Sequence, residues 1–145
     1  MHDYFTAYAN VFTERFSSII KHERAKIEKG ADLMVAAIER DELIHVIGTG
    51  GHSTMGALEL FWRAGGLAPI NPLLDASFLP SNGALHSNIM ERTEGLAQAI
   101  LKSYKVKSGE TLIIVNAYGI NATTIDTALE AKRIGMHTIG ITSTS

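Results

Sequence analysis

The sequence contains no cysteine, which excludes both a disulfide framework and a thiolate metal site. Its net charge is only −2 over 145 residues, so there is no general attraction for nucleic acid or for an anionic membrane. No apolar run approaches the roughly 18 residues that a membrane span requires, and the N-terminus lacks the apolar core of a secretory signal. We therefore expect a cytoplasmic protein that binds neither nucleic acid nor membranes.

The first 40 residues have the pattern of amphipathic helices. Apolar residues recur mostly at three- and four-residue spacing between positions 3 and 28, which predicts one long helix. Gly30 predicts its end, and a second, shorter helix is predicted over 31–39. The long helix has more apolar face than one small sheet covers. We therefore expect residues 1–40 to form a helical segment that packs on the core or on a partner subunit.

From residue 41 onward, strands and helices alternate. Strands are predicted at 43–47, 67–71, 111–116 and 137–142, and helices at 54–63, 90–104 and 122–134, with a structureless connection over 72–88. Helical crossovers imply a parallel sheet, and apolar strands indicate burial on both faces, with His45 and His137 in the core. The prediction is an α/β domain over 41–145. Because the sequence stops just past a strand, we expect this domain to be incomplete at its C-terminal end.

Residues 48–53 form a glycine loop between the first strand and the next helix. Gly50 and Gly51 let the backbone approach a ligand closely, and exposed amides at such a loop suit an anion, most often a phosphate. Ser53 offers its hydroxyl either to the helix as a cap or to a phosphate oxygen. His52 either donates to the same anion or packs beside the loop.

Several spaced motifs together resemble the sugar isomerase (SIS) domain. They are GTGGHS at 48–53, ELFWRAGG at 59–66, the glycine loop after Val115, and ALEAKRIGMHTIGIT at 128–142. The closest resemblance is to the uncharacterised UPF0309-type SIS-domain proteins, which begin with a similar helical stretch. The resemblance implies a flavodoxin-like, doubly wound fold, assembly into a homodimer or tetramer, and binding of a phosphosugar. It implies no cofactor.

The second glycine loop departs from the family pattern. The resemblance implies Ser-x-Ser-Gly at this place, whereas the sequence has Asn-Ala-Tyr-Gly at 116–119. Amide and phenol groups can still donate to a phosphate, and the alternative is a turn that only joins strand to helix. The full set of predicted ligand contacts is Gly50, Gly51, His52, Ser53, Asn116, Tyr118, Gly119, Asn121, Thr142 and Ser143.

Aldose–ketose isomerisation requires a base and an acid beside the sugar carbonyl. Glu59 resembles the acid of the Glu-Leu-x-x-Arg stretch in phosphoheptose isomerases, although it follows the loop about one helical turn sooner, and its spacing from Arg63 equally fits a helix ion pair. His86 and Glu91 are the other catalytic candidates. The ordinary alternatives are that His86 is an exposed loop residue and that Glu91 is an acid favoured at a helix start by the helix dipole. The six histidines show no metal-ligand spacing, so no metal site is predicted.

Two function classes remain open from the sequence. One is a phosphosugar isomerase or lyase that holds the anion at Ser53 and moves a proton at Glu59. The other is a non-catalytic module that senses a phosphosugar or assembles subunits. The loss of both serines in the second loop favours the module, and the acid-bearing helix favours the enzyme.

Overall fold

The computed structural model describes residues 3–143, which alternate between helices and parallel strands. The elements are α1 (Tyr4–Glu39), β1 (Ile44–Gly48), α2 (Thr54–Leu60), β2 (Ile70–Pro72), α3 (Ala84–Met90), α4 (Leu96–Ser103), β3 (Thr111–Val115), α5 (Ala122–Ile134) and β4 (His137–Ile141). Two short 3₁₀ turns, Ala76–Phe78 and Pro80–Asn82, precede α3.

The four strands form one sheet in the order β2-β1-β3-β4, and every neighbouring pair is parallel. One face carries a buried cluster that includes Leu101, Leu112 and Ile114. The other face buries Ala37 and Ala57 against β1, β2 and β3. Apolar cores on both faces of a parallel sheet confirm the predicted doubly wound α/β architecture.

Internal contacts divide the chain into two compact units with a boundary between Leu33 and Met34. That boundary lies inside α1, because the helix runs through Gly30 without a break. The predicted stop at Gly30 is therefore wrong. A helix-interior glycine costs only about 1 kcal/mol relative to alanine, and burial of Ala37 beyond it favours continuing the helix.

The helix predicted over 90–104 is wrong as a single element. Gly95 has a left-handed φ of 78° and precedes α4, while α3 ends at Met90. The backbone amide of Gly95 donates to Asp126 Oδ2 at 2.7 Å, which fixes the break. The connection over 72–88 is likewise not structureless, because it contains the two 3₁₀ turns and the start of α3.

β4 is one of the two edge strands, and four of its five residues are exposed. The prediction that His137 lies in the core is wrong, since it is exposed. Burial of a strand on both faces requires covering elements, and β4 pairs only with β3 among residues 3–143. His45 in β1 is 3% exposed. It bonds Glu110 and Asn71 at 2.9 Å each, which confirms it as a satisfied core residue.

Candidate functional site

The two glycine loops lie side by side where the strand order reverses. β1 is followed outward by β2 on one side, and β3 by β4 on the other. Ligands of open parallel sheets bind in the crevice at such a switch point. The backbone amide of Thr49, just past β1, donates to Val115 O at 3.2 Å, so the loop after β1 is joined directly to the end of β3.

The first loop, residues 49–53, is held from within by Thr54. Both the amide and the hydroxyl of Thr54 donate to Gly50 O at 2.9 Å. The amides of Gly50, Gly51, His52 and Ser53 donate no hydrogen bond to any other residue between 3 and 143. A run of unpaired amides beside a helix start is the usual form of an anion site.

Ser53 stands at the N-cap position of α2, but its side chain makes no capping hydrogen bond. Its backbone is helical, with φ −66° and ψ −26°, whereas a capping serine normally has an extended backbone. The cap alternative raised by the sequence is therefore absent from the structure. The hydroxyl of Ser53 is available to a ligand.

The second loop, residues 116–121, is organised around the side chain of Asn116. This side chain is 4% exposed and its Nδ2 donates to Thr49 O at 2.9 Å. Its Oδ1 accepts from the amides of Tyr118 at 3.0 Å and Gly119 at 2.7 Å. Asn116 thus joins both loops and already occupies two amides that face it.

An open cavity of about 340 Å³ lies between the loops and the end of β4. Its walls bring together five of the residues predicted from the sequence, His52, Ser53, Asn116, Thr142 and Ser143, beside Gly56, Val115, Ala117 and Ile141. The lining combines apolar atoms with hydroxyl, amide and imidazole groups. This is the composition of a small-molecule site with a few orienting polar groups.

The remaining predicted ligand contacts lie around this cavity rather than in its lining. Tyr118 is 72% exposed, and Asn121 is the N-cap residue of α5 without a side-chain capping bond. A side chain at Gly119 would meet Thr142 Oγ1 at 2.7 Å, so this turn packs closely on the segment after β4. All ten ligand contacts stay predictions.

The three catalytic candidates occupy different surroundings. Glu59 is 70% exposed and pairs with Arg63 at 3.6 Å, six residues beyond Ser53, which is about 9 Å along a helix axis. His86 is exposed on α3. Glu91 lies against the first loop, because a side chain at Gly50 would meet its Oε2 at 2.5 Å.

The carboxylate of Glu91 is 16% exposed, and its Oε1 accepts from Arg92 at 2.6 Å. Its backbone carbonyl accepts from the amide of Thr123 at 3.2 Å, which joins the end of α3 to the start of α5. Of the three candidates, only Glu91 combines low exposure with contact to the loop. Its role in catalysis stays a prediction.

Sequence reasoning missed a buried hydroxyl pair beneath the loops. Thr49 Oγ1 and Thr124 Oγ1 are 2.6 Å apart, and the two residues are 0% and 8% exposed. Threonine directly after an apolar strand is a weak signal, and nothing in the sequence pairs it with a residue in α5. The contact is visible only in the fold.

Between residues 3 and 143 no group of three or more metal-ligating side chains lies close enough to hold an ion. No helix in that range has the length and apolar character needed to cross a membrane.

Comparison with known proteins identifies the family. The profile of the SIS domain matches residues 7–143. The chain belongs to the SIS domain family. The predicted resemblance is thereby confirmed.

SIS-domain relatives of the UPF0309 type match most of the chain. The UPF0309 protein of Caldanaerobacter subterraneus subsp. tengcongensis is 38% identical over 138 residues, which covers 94% of this chain and 56% of that protein. A UPF0309 protein of Brucella ovis is 40% identical over 136 residues, with the same coverage of 94% and 56%. The chain therefore spans little more than half the length of these relatives.

Solved SIS structures confirm the fold. A phosphoheptose isomerase from Francisella tularensis superposes with a TM-score of 0.74 at 17% identity, covering 97% of this chain and 73% of that one. The phosphoheptose isomerase GmhA from Neisseria gonorrhoeae gives a TM-score of 0.73 at 20% identity and the same coverage of 97% and 73%.

Proposed function

We propose that the protein binds a phosphorylated sugar, with the phosphate on residues 50–53 and the sugar over the adjoining cavity. The observation that carries this proposal is the run of four consecutive loop amides without an internal acceptor, with the uncommitted hydroxyl of Ser53 at its end. Unpaired amides and a hydroxyl supply the donors that phosphate oxygens accept. The sequence around the loop is that of an SIS domain, which supports the same ligand class.

The cavity supports a sugar-sized ligand. Its volume of about 340 Å³ lies within the range of small-molecule pockets. Thr142 and Ser143 line the cavity and can orient hydroxyl groups of a sugar whose phosphate is at Ser53. Gly56, Val115 and Ile141 contribute apolar atoms to the lining, which suits the C–H face of a pyranose or an acyl substituent.

If the protein is an enzyme, the chemistry that this site supports best is aldose–ketose isomerisation of the bound phosphosugar. A carboxylate beside the phosphate loop can move a proton between adjacent sugar carbons, and Glu91 has that position. The fold shared with phosphoheptose isomerases favours this reaction class. Glu59 and His86 are weaker candidates because both are exposed.

The second candidate function is a non-catalytic module that binds a phosphosugar and assembles subunits. α1 favours it, because Tyr4, Phe5, Tyr8, Phe12 and Phe16 are 56–84% exposed. At about 150–250 Å² for each aromatic side chain, these five leave about 500–900 Å² of surface open. That matches the roughly 800 Å² that each partner buries in a stable interface. We infer a homodimer or tetramer through α1, and cytoplasmic location stays a prediction from the sequence.

Binding is tested by calorimetry and thermal shift against hexose, hexosamine and heptose phosphates, with inorganic phosphate alongside. We expect at least one sugar phosphate to raise the melting temperature. Ser53→Ala should weaken binding of that ligand about 5–50-fold, because one charge-assisted hydrogen bond is lost. Ser108→Ala is the control, since Ser108 precedes β3 at the opposite edge of the sheet. No stabilisation by any phosphate at millimolar concentration would refute the binding proposal.

Catalysis is tested separately by exchange of the sugar C–H proton with deuterated water. We expect Glu91→Gln to abolish exchange of a ligand that still binds, because an amide cannot act as the base. Glu94→Gln, at an exposed neighbouring position, should exchange like the parent. A parent that binds but never exchanges the proton supports the non-catalytic module instead.

A further inference from the structure

Both the nitrogen and the oxygen of the Asn116 side-chain amide form hydrogen bonds within the protein. The amide nitrogen donates to Thr49 O at 2.9 Å and lies 3.3 Å from Thr49 Oγ1. The amide oxygen accepts twice, from the backbone of Tyr118 and of Gly119. With 4% exposure, the side chain has no uncommitted donor to offer to a ligand.

We infer that Asn116 is a positioning residue whose side chain braces the second glycine loop from within. The brace lies where the family resemblance implies a second phosphate loop. The oxygen of Asn116 withdraws the amides of Tyr118 and Gly119 from ligand binding, and its nitrogen fixes the first loop. The amides of Tyr118 and Gly119 are then closed to a phosphate, and residues 50–53 supply its main donors. This inference rests on the proposed function for the identity of the ligand, but the brace itself does not depend on any ligand.

The geometry explains why asparagine suits this position. Its side-chain oxygen can reach the amides two and three residues ahead, as in an Asx turn, while its nitrogen points the other way. A serine hydroxyl places its donor and acceptor positions on one atom close to the backbone, whereas asparagine places them on two separate atoms at the end of a longer side chain. In this chain Asn116 occupies two of the loop amides, those of Tyr118 and Gly119.

The brace continues into the core through Thr49. The carbonyl of Thr49 accepts from Asn116, its amide donates to Val115 O, and its hydroxyl pairs with Thr124 in the first turn of α5. The first loop begins at this residue. The position of the unpaired amides at 50–53 therefore depends on the nitrogen of Asn116.

The ligand-free test compares two variants by amide hydrogen exchange and chemical shift in NMR. Asn116→Asp keeps the oxygen acceptor and removes the donor to Thr49 O. We expect shifts at Gly50 and Gly51, with protection at Tyr118 and Gly119 changed by less than about 3-fold. Asn116→Ala removes both functions and should raise exchange at Tyr118 and Gly119 by about 10-fold or more.

A purely structural effect would disturb both loops alike in Asn116→Asp, and that result would overturn the brace. Asn121→Asp is the control for charge, because Asn121 lies in the same loop without a side-chain capping bond. We expect it to leave the amides at 50–53 unshifted. Shifts there as large as those in Asn116→Asp would also overturn the inference.

The ligand arm titrates inorganic phosphate into the parent and into Asn116→Ser combined with Tyr118→Ser. In the parent, shifts should appear at residues 50–53 and not at 118 or 119. In the double variant they should appear at both loops, with about 3- to 10-fold tighter binding from the added donors. Parent shifts at 118 and 119 equal to those at 50–53 overturn this inference while the proposed function stands. If the parent shows no phosphate-induced shift in either loop, the proposed function and the single-loop assignment are both overturned. The brace is then judged by its ligand-free test.

Discussion

At the scale of single residues, the first loop depends on the absence of a side chain at Gly48. A Cβ there would collide with the carbonyl of Ser53 and the amide nitrogen of Thr54. Both are backbone atoms that cannot move without displacing the loop and the start of α2. Gly140, a glycine within β4, has nothing within 4 Å of its Cβ position.

These two glycines give a matched pair of substitutions. We expect Gly48→Ala to cost about 2–4 kcal/mol, because overpacking against backbone cannot relax by rotamer changes. Gly140→Ala should be neutral or stabilising by about 0.5–1 kcal/mol, because alanine restricts the unfolded chain. Urea denaturation of both variants measures the difference. Equal costs for the two would show that the loop accommodates a methyl group.

Residue types indicated which loops come together at the sheet edge, but they did not indicate what each side chain does there. The serine and glycines of the first loop were recognisable because their spacing belongs to a strand–loop–helix pattern. The role of Asn116 was not, because a side chain that donates in one direction and accepts in another looks the same in sequence as a ligand contact. Glu91 could not be ranked above Glu59 either, since only the fold brings α3 against Gly50.

At the scale of elements, α5 matched its predicted bounds, while the break between α3 and α4 was missed. The break was missed because it depends on the hydrogen bond from Gly95 to Asp126, a residue 31 positions away in the sequence. β4 was recognised as a strand, but its exposure depends on its place at the sheet edge. The local sequence pattern identifies a strand, but it does not show which strands will lie beside it in the sheet.

α5 also carries an ion pair whose pH dependence can be measured. Arg133 donates to both oxygens of Glu130 at 2.7 and 2.6 Å. These hydrogen bonds lower the pKa of the Glu130 carboxyl below its ordinary value. Because the pKa is lowered in the folded state, the ion pair stabilises the protein fully when the pH is above the carboxyl pKa of the unfolded chain, about 4.3. The stabilisation is lost as the pH falls through the lower pKa of the folded state.

We therefore expect Glu130→Gln to cost about 0.5–1 kcal/mol at pH 6, and the deficit to shrink as the pH falls below about 4. Glu59→Gln is the control, because its pair with Arg63 is exposed on both sides and should cost less than about 0.5 kcal/mol. Denaturant unfolding across the pH range measures both. A deficit that stays constant from neutral to acid pH would show that packing rather than charge is involved.

At the scale of the whole molecule, the apolar stripe of α1 predicts self-association. Phe12 and Phe16 stack with ring centroids 6.4 Å apart, and both are more than half exposed. We expect Phe12→Ser with Phe16→Ser to weaken association by about 100-fold or more, because aromatic side chains dominate interface energies. Sedimentation velocity at micromolar concentration measures it.

Trp62→Ser is the control, since this side chain is 90% exposed but lies outside α1. It should associate like the parent. A monomeric parent at micromolar concentration, or an unchanged assembly in the double phenylalanine variant, would contradict an interface through α1.

The fold class was predictable because alternating strands and crossover helices permit few arrangements. The sequence motifs at 48–53 and 128–142 then selected the SIS family, which the match over residues 7–143 confirms. What stayed out of reach was the linkage between the two loops. It depends on Thr49, Asn116 and Thr124, which are far apart in the sequence and meet only in the folded domain.

The brace at Asn116 also has a consequence for how such loops can evolve. Asparagine and tyrosine codons each become serine codons by a single base change. The braced loop and a serine loop are thus separated by one point mutation at each of positions 116 and 118. Selection for a different ligand can act on these two positions while Gly48, the strands and the packing beneath them remain untouched.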